Sequence, residues 1–251
     1  MKALITGASS GLGWDMAHIL HQKGIELWLV ARRGERLAKL RSELDGKPHI
    51  LPLDLSKQEN CIRLYEMLKG ENIDILINNA GFGQFGYFTE TELDRELEMI
   101  DLNIRAPHIL TKLFLKDFVA RNSGYILNVA SSAAFLPGPL MSVYYSTKAY
   151  LYRLTAAIYE ELRRKKSAVY IGALCPGPVT TEFNHRAGVS FAIKSLSSDE
   201  VAKYAIKQMF KKKLVIIPGT TIRLGTFFQR FVPTKLLLRI SYNIQHAKSK
   251  K

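Results

Sequence analysis

The chain begins Met1-Lys2-Ala3-Leu4-Ile5-Thr6-Gly7-Ala8-Ser9-Ser10-Gly11-Leu12-Gly13 and runs on into a helical pattern from Trp14 to Gln22. Met1 to Thr6 is a short apolar run, which predicts a strand. The glycine-rich turn Gly7 to Gly13 follows with no spacer. A strand, a glycine turn and a helix N-terminus together make an anion site. The glycines admit a close backbone approach, and the unpaired first amides with the helix dipole favour a pyrophosphate. Glycine-rich turns close many loops, so the weight lies in the placement between strand and helix.

Downstream the same alternation repeats. Further strands are predicted at Ile25–Ala31, His49–Leu55, Ile73–Asn78, Gly124–Ala130, Val169–Leu174 and Leu214–Pro218. Helical patterns lie between them at Glu35–Leu44, Lys57–Lys69, Glu92–Leu102, Ile104–Ala120 and Tyr145–Arg164. Ser197-Ser198-Asp199-Glu200 reads as a capping box that opens a helix ending in Lys211-Lys212-Lys213. Apolar strands alternating with helices predict an α/β fold, a doubly wound parallel seven-stranded sheet with helices on both faces. No linker, repeat or low-complexity tract interrupts the 251 residues, so a single domain is expected, with a C-terminal extension from about residue 220. In such sheets ligands sit beyond the carboxyl ends of the strands, where the strand order reverses.

Tyr144 and Lys148 are four residues apart on one helix face, with Ser131 thirteen positions upstream of the tyrosine. A free phenol titrates near pH 10 and carries protons poorly at neutral pH. A neighbouring cation is expected to pull that value down toward the working pH. A serine hydroxyl within reach is suited to hold the oxygen of a carbonyl under reduction. Alone, the tyrosine–lysine pair also reads as an ordinary helix-surface pair.

Thr6-Gly-x-x-x-Gly-x-Gly13, Asn78-Asn79-Ala80-Gly81, Asn103, Ser131, Tyr144-x-x-x-Lys148 and Pro176-Gly177 occur in one order. Together they resemble the short-chain dehydrogenase/reductase family over roughly residues 1 to 220. The resemblance implies a Rossmann-type fold, an oxidoreductase acting between alcohol and carbonyl, and a nicotinamide dinucleotide bound on the glycine turn by Gly7, Ser9, Ser10, Gly11, Leu12 and Gly13. It makes Tyr144 the proton carrier, with Lys148 also holding the nicotinamide ribose. Ser131 or Ser132 is the serine, with Ser131 preferred from the following Phe135–Pro139 tract, and Asn103 is the fourth catalytic residue. Carried over in the same way are Asp54 and Leu55 at the adenine, Asn79, Ala80 and Gly81 beside the adenine-side ribose, and Pro176, Gly177, Val179 and Thr181 at the carboxamide. Ala134 departs from the glycine of many relatives.

The second strand ends Val30-Ala31 and continues Arg32-Arg33. A carboxylate that would accept from a ribose 2′-hydroxyl is missing there, and two guanidiniums suited to a 2′-phosphate stand in its place. NADP(H) is therefore the expected cofactor, and no metal is expected. On the substrate side, Gly81–Phe88 is rich in aromatics, Ala133–Met141 is almost wholly apolar, and Glu182–Lys194 is expected to form a lid carrying His185 and Arg186. These predict an apolar pocket for a lipophilic ketone or aldehyde, with a long-chain 3-oxoacyl group as one candidate.

The net charge is +14, but residues 1 to 200 hold 24 Lys and Arg with all 22 Asp and Glu. Residues 201 to 251 hold the other 12 basic residues and no acid. Leu224, Phe227, Phe228 and Phe231 share a helical face, and Leu236, Leu237, Ile240 and Ile244 repeat the theme. Three readings stay open for this tail: a peripheral contact with an anionic membrane, packing on the pocket, or packing on a second subunit. Nucleic acid is not expected, since no recognisable module is present. Two cysteines, Cys61 and Cys175, give no disulfide framework. No room precedes the first strand for a signal peptide, and no apolar stretch approaches a membrane span. A cytoplasmic protein, free or peripherally attached, is expected, and the resemblance implies a dimer or tetramer. The rival reading is a dinucleotide-binding sensor without turnover.

Overall fold

The computed structural model describes residues 1–182 and 195–246. Seven parallel strands form the sheet: β1 (Lys2–Thr6), β2 (Glu26–Ala31), β3 (His49–Pro52), β4 (Ile75–Asn78), β5 (Tyr125–Val129), β6 (Tyr170–Leu174) and β9 (Val215–Ile216). Their order across the sheet is β3-β2-β1-β4-β5-β6-β9. The order therefore reverses between β1 and β4, and a crevice opens at their carboxyl ends. A separate short pair, β7 (Val179–Thr180) with β8 (Leu196–Ser197), was not expected; two residues per strand leave no periodicity to read.

Side-chain alternation explains why the sheet is covered on both sides. Ala3 and Ile5 of β1, Leu27 and Leu29 of β2, and Ile75 and Ile77 of β4 join one core cluster. That cluster is completed by α1 (Gly11–Gln22), α2 (Gly34–Glu43) and α7 (Ser198–Phe210). The intervening Leu4, Trp28, Val30 and Leu76 join the opposite cluster. There they meet α3 (Gln58–Leu68), α5 (Ala106–Ala120) and α6 (Ser142–Arg164). Strands buried on both faces have to be apolar throughout, and that is what made them readable. The tail adds α8 (Thr220–Phe228) and α9 (Thr234–His246).

Local chemistry sets the element ends. Ser197 Oγ accepts from the Glu200 amide at 3.2 Å, and the Glu200 carboxylate accepts from the Ser197 amide at 3.1 Å, the reciprocal cap expected at the head of α7. β3 stops at Pro52, short of the expected Leu55, and a strand with a proline is tolerated here because β3 is an edge. The two helices expected at 92–102 and 104–120 are one continuous rod. α4 (Leu93–Ile100) runs through a single π-helical turn, Asp101–Arg105, into α5. Pattern reading placed a break at Asn103; the structure instead places Asn103 in the wide turn. α6 begins three residues earlier than expected, so Tyr144 lies within it.

Candidate active site

The glycine turn builds the first wall. Gly7 and Gly11 adopt φ of 66° and 55°, in the left-handed region that a side chain strains to reach. Gly13 is required for a different reason: a Cβ there would lie 2.5 Å from both the Gly7 carbonyl oxygen and Asn79 Nδ2. Asn79 Nδ2 donates to the carbonyls of Thr6 and Gly7 at 3.0 and 3.1 Å, which ties the turn to the end of β4. At the head of α1, Ser10 makes no side-chain capping bond, and the first turn carries no acid. The leading amides of α1 are thus left to a ligand, and the glycine cradle beside them fits a pyrophosphate.

A cationic corner adjoins the turn. Arg33 donates to Ser9 Oγ at 3.2 Å, to Ser10 Oγ at 3.1 Å and to Glu182 Oε2 at 3.0 Å. Arg36 pairs with the other carboxylate oxygen of Glu182, also at 3.0 Å. Two guanidiniums therefore hold one anion, with two hydroxyls on one of them, and this set of groups suits a phosphate monoester. Arg32 also lines the cavity but turns toward α4, donating to Glu98 Oε1 at 2.6 Å. Sequence reading found Arg32 and Arg33 but missed Arg36 and Glu182. Arg36 stands one helical step past Arg33 and was within reach of a pattern argument; Glu182 was not, because it arrives from 149 positions away.

Tyr144, Lys148 and Ser131 meet on the far wall. The Ser131 hydroxyl acts on the Tyr144 phenol and favours its ionised form, which points to this serine over Ser132 although both line the cavity. Ser131 holds its place through its own acceptor bond from the Ala133 amide at 3.1 Å. Lys148 is buried, donates to the Val129 carbonyl at 2.8 Å and sits 5.8 Å from the centre of the Tyr144 ring. Here the electrostatics differ from expectation. Burial drives the phenol well above its ordinary value, and the Ser131 contact opposes this only in part. Burial pushes Lys148 down to about 8. Low dielectric disfavours both charged forms, so the lysine does not set the phenol's titration as the four-residue spacing suggested.

Most of the residues expected at the site line one cavity of about 560 Å³. Gly7, Ser9, Ser10, Gly11 and Leu12 border it, as do Leu55, Asn79, Ala80 and Gly81, and Pro176, Gly177, Val179 and Thr181 close its far end. Three expected residues stand behind the wall instead. Gly13 packs beneath the turn, and Asp54 spends its carboxylate on the Ser56 amide and hydroxyl at 3.0 and 2.8 Å. Asn103 is buried under Gly81, exchanging hydrogen bonds of 3.1 and 2.9 Å with the Phe82 backbone and donating to Thr147 Oγ1 at 3.1 Å. The apolar lining comes from Phe82, Ala133 and Met141, with Ile222 and Ile244 added from the tail. His185 and Arg186 of the expected lid lie outside the described residues.

This sheet order, with a glycine turn at the reversal and a cationic corner beside it, defines the dinucleotide-binding class of α/β proteins. The sequence profile of the short chain dehydrogenases matches residues 1–189. The chain belongs to that family, the NAD(P)-dependent short-chain oxidoreductases. Its relatives include an uncharacterized oxidoreductase of Staphylococcus epidermidis, 30% identical over 227 residues, covering 88% of this chain and 96% of that protein. Among solved structures it is similar to a short-chain dehydrogenase from Sphingobium yanoikuyae in complex with NADPH, at 31% identity and a TM-score of 0.83, covering 92% and 93% of the two chains. A bulky-bulky ketone specific alcohol dehydrogenase from Comamonas testosteroni is similar at 30% identity and a TM-score of 0.80, covering 92% and 91%.

Proposed function

We propose that this chain is an NADP(H)-dependent reductase of lipophilic ketones or aldehydes, in which Tyr144 donates the proton and Ser131 holds the carbonyl oxygen. The observation that carries the reading is that Ser131, the buried Tyr144 and Lys148 line one wall of an apolar cavity, with the serine hydroxyl near enough to the phenol to favour its ionised form. When bound, the dinucleotide supplies the hydride. A phenol kept protonated by burial is suited to giving up a proton, and the hydroxyl beside it can steady the alkoxide as charge develops. Lys148 fixes the far end of this wall through the Val129 carbonyl and is placed to hold ribose hydroxyls. Asn103, one layer deeper, sets the position of the Phe82 backbone and of Thr147 on α6.

The preference for NADP(H) rests on the corner made by Ser9, Ser10, Arg33 and Arg36, which already holds an anion in Glu182. The complex of the Sphingobium relative with NADPH supports the same reading. The apolar lining and the Comamonas relative's bulky ketones support a large, poorly hydrated substrate, with a long-chain 3-oxoacyl group among the candidates. We further propose that residues 1–251 act as one catalytic domain, in the cytoplasm, in a homo-oligomer built on the outer faces of α5 and α6.

The test follows NADPH oxidation against ketones and aldehydes graded by chain length, in the wild type and in Tyr144→Phe. The expected result is turnover that rises with substrate apolarity, and its loss in the variant with NADPH affinity little changed. NADPH binding without turnover on any carbonyl would instead favour a sensor. Loss of both turnover and binding in the variant would give Tyr144 a structural role.

A further inference from the structure

The two tail helices are amphipathic the wrong way round for a protein that meets only water. α8 and the 3-10 turn after it (Gln229–Phe231) carry Leu224, Phe227, Phe228 and Phe231 at helical spacing on one face. Leu224 is 58%, Phe228 60% and Phe231 73% exposed. The Phe227 ring packs edge-on against Phe228 and Phe231 at 5.4 and 5.6 Å, so the three form one aromatic block at the surface. The side of this segment turned to the body contributes Ile222 to the cavity wall and Gln229, which donates to the Phe135 carbonyl at 3.2 Å.

α9 repeats the inversion. Its buried residues are the polar Ser241 and Gln245, bonded to the Pro137 carbonyl at 3.0 Å and to the Tyr145 hydroxyl. Its exposed residues include Leu236 and Ile240. A helix of a water-soluble protein turns its apolar stripe inward and its polar face out. Here hydrogen bonds dock the helices and the apolar faces stay uncovered, as expected of an interaction surface.

Charge decides between occupants. Arg223, Arg230, Lys235 and Arg239 are interspersed with the exposed apolar residues, and none forms an ion pair among the described residues. Residues 201 to 251 contain no acid to answer them. A two-fold contact through this face would set the patch against its own copy, like charge against like charge. An anionic bilayer answers both features: headgroups take the cations while acyl chains take the aromatic and leucine side chains. No helix among the described residues is long and apolar enough to cross a membrane, so the contact is parallel to the surface.

We propose that α8 and α9 form a docking face for an anionic lipid surface. The face borders the cavity that Ile222 and Ile244 help to line, so an apolar ligand has a short route from the bilayer. The docking inference does not rest on the reductase reading, because it concerns the outer faces of the tail alone.

The test is sedimentation of the full chain with phosphatidylcholine vesicles, with and without phosphatidylglycerol, at low and high salt. The comparison protein is the double variant Phe228→Glu/Phe231→Glu, whose circular dichroism and melting temperature establish that it folds. The expected result is binding to the anionic vesicles that weakens with salt and falls by about tenfold or more in the double variant. Wild type that stays in the supernatant with anionic vesicles would overturn the proposal, as would a double variant that binds equally well. Absence of vesicle binding together with a smaller sedimenting species for the double variant would assign the face to a second copy instead. Vesicle binding without any carbonyl turnover would remove the reductase reading and leave this one standing.

Discussion

Arg33 grips Glu182 at 3.0 Å with the same nitrogen that reaches Ser9 and Ser10, and Arg36 holds the other oxygen of that carboxylate. The carboxylate therefore occupies the corner that the proposed NADP(H) preference assigns to a 2′-phosphate. Its side chain is 38% exposed, and exposed ion pairs contribute only about 0.2–1 kcal/mol. A dianionic phosphate can displace it, at that cost.

Removing the resident charge should consequently tighten the phosphorylated cofactor alone. Glu182→Gln is expected to lower the NADPH dissociation constant by up to about fivefold, with NADH little affected. Fluorescence titration at two salt concentrations checks this, the gain shrinking as salt rises. Weaker NADPH binding in the variant would show Glu182 to be part of the cofactor site and not its competitor.

Lys148 carries the clearest pH signature. Its folded value, about 8, lies below the ordinary 10.5. Between those values the folded chain binds fewer protons than the unfolded chain, so this group's contribution to stability rises with pH. Below about pH 8 the buried charge costs the fold on the order of 3 kcal/mol, at about 1.4 kcal/mol per unit. Cys61 and Cys175, pushed up from 9.0 to about 12 by burial, act in the opposite sense above about pH 9. Comparing Lys148→Met with wild type below about pH 9 keeps both thiols protonated and out of the difference; above it Cys61 still cancels, whereas Cys175, which the Lys148 charge holds down, does not. The variant is expected to match or exceed wild type in urea unfolding at neutral pH, even after losing roughly 1 kcal/mol for the Val129 hydrogen bond. That advantage should shrink toward pH 10. A variant much weaker than wild type at neutral pH would contradict the burial argument.

Gly81 tests how the deeper layer supports the cavity. A Cβ at this position would lie 2.8 Å from Asn103 Oδ1 and 3.4 Å from Lys148 Nζ. Gly81→Ala must push Asn103 off the Phe82 backbone, leaving buried polar groups unmet at about 1–3 kcal/mol. A melting-temperature drop of roughly 2–12 °C is expected, and an unchanged melting temperature would mean that the loop absorbs the methyl group.

The sheet was legible because a strand covered on both faces must be apolar along its whole length, as Leu27–Val30 and Ile75–Ile77 are. The glycine turn was legible because Gly7, Gly11 and Gly13 each answer a steric demand that other residues fail. Glu182 was hidden because its partner Arg33 is 149 residues distant and nothing local marks the pairing. The titration of Tyr144 was misjudged for a related reason: spacing along a helix reports direction, whereas burial comes from every element packed around it. In the tail the periodicity located the apolar faces but gave no sign of which way they turn. That depended on Ser241 and Gln245 finding acceptors on the body.

The wide turn at Asp101–Arg105 puts one surplus residue into an otherwise regular rod from Leu93 to Ala120. Every side chain beyond it is rotated by about 100° from where an unbroken α-helix would place it. Deleting a single residue there would heal the hydrogen-bond ladder, yet Phe114 and Phe118 would swing out of the core and Asn103 would leave the floor beneath Gly81. A shorter chain would thus own a sturdier helix around an unsupported pocket, and an alignment gap at this spot would be a more telling change than most substitutions.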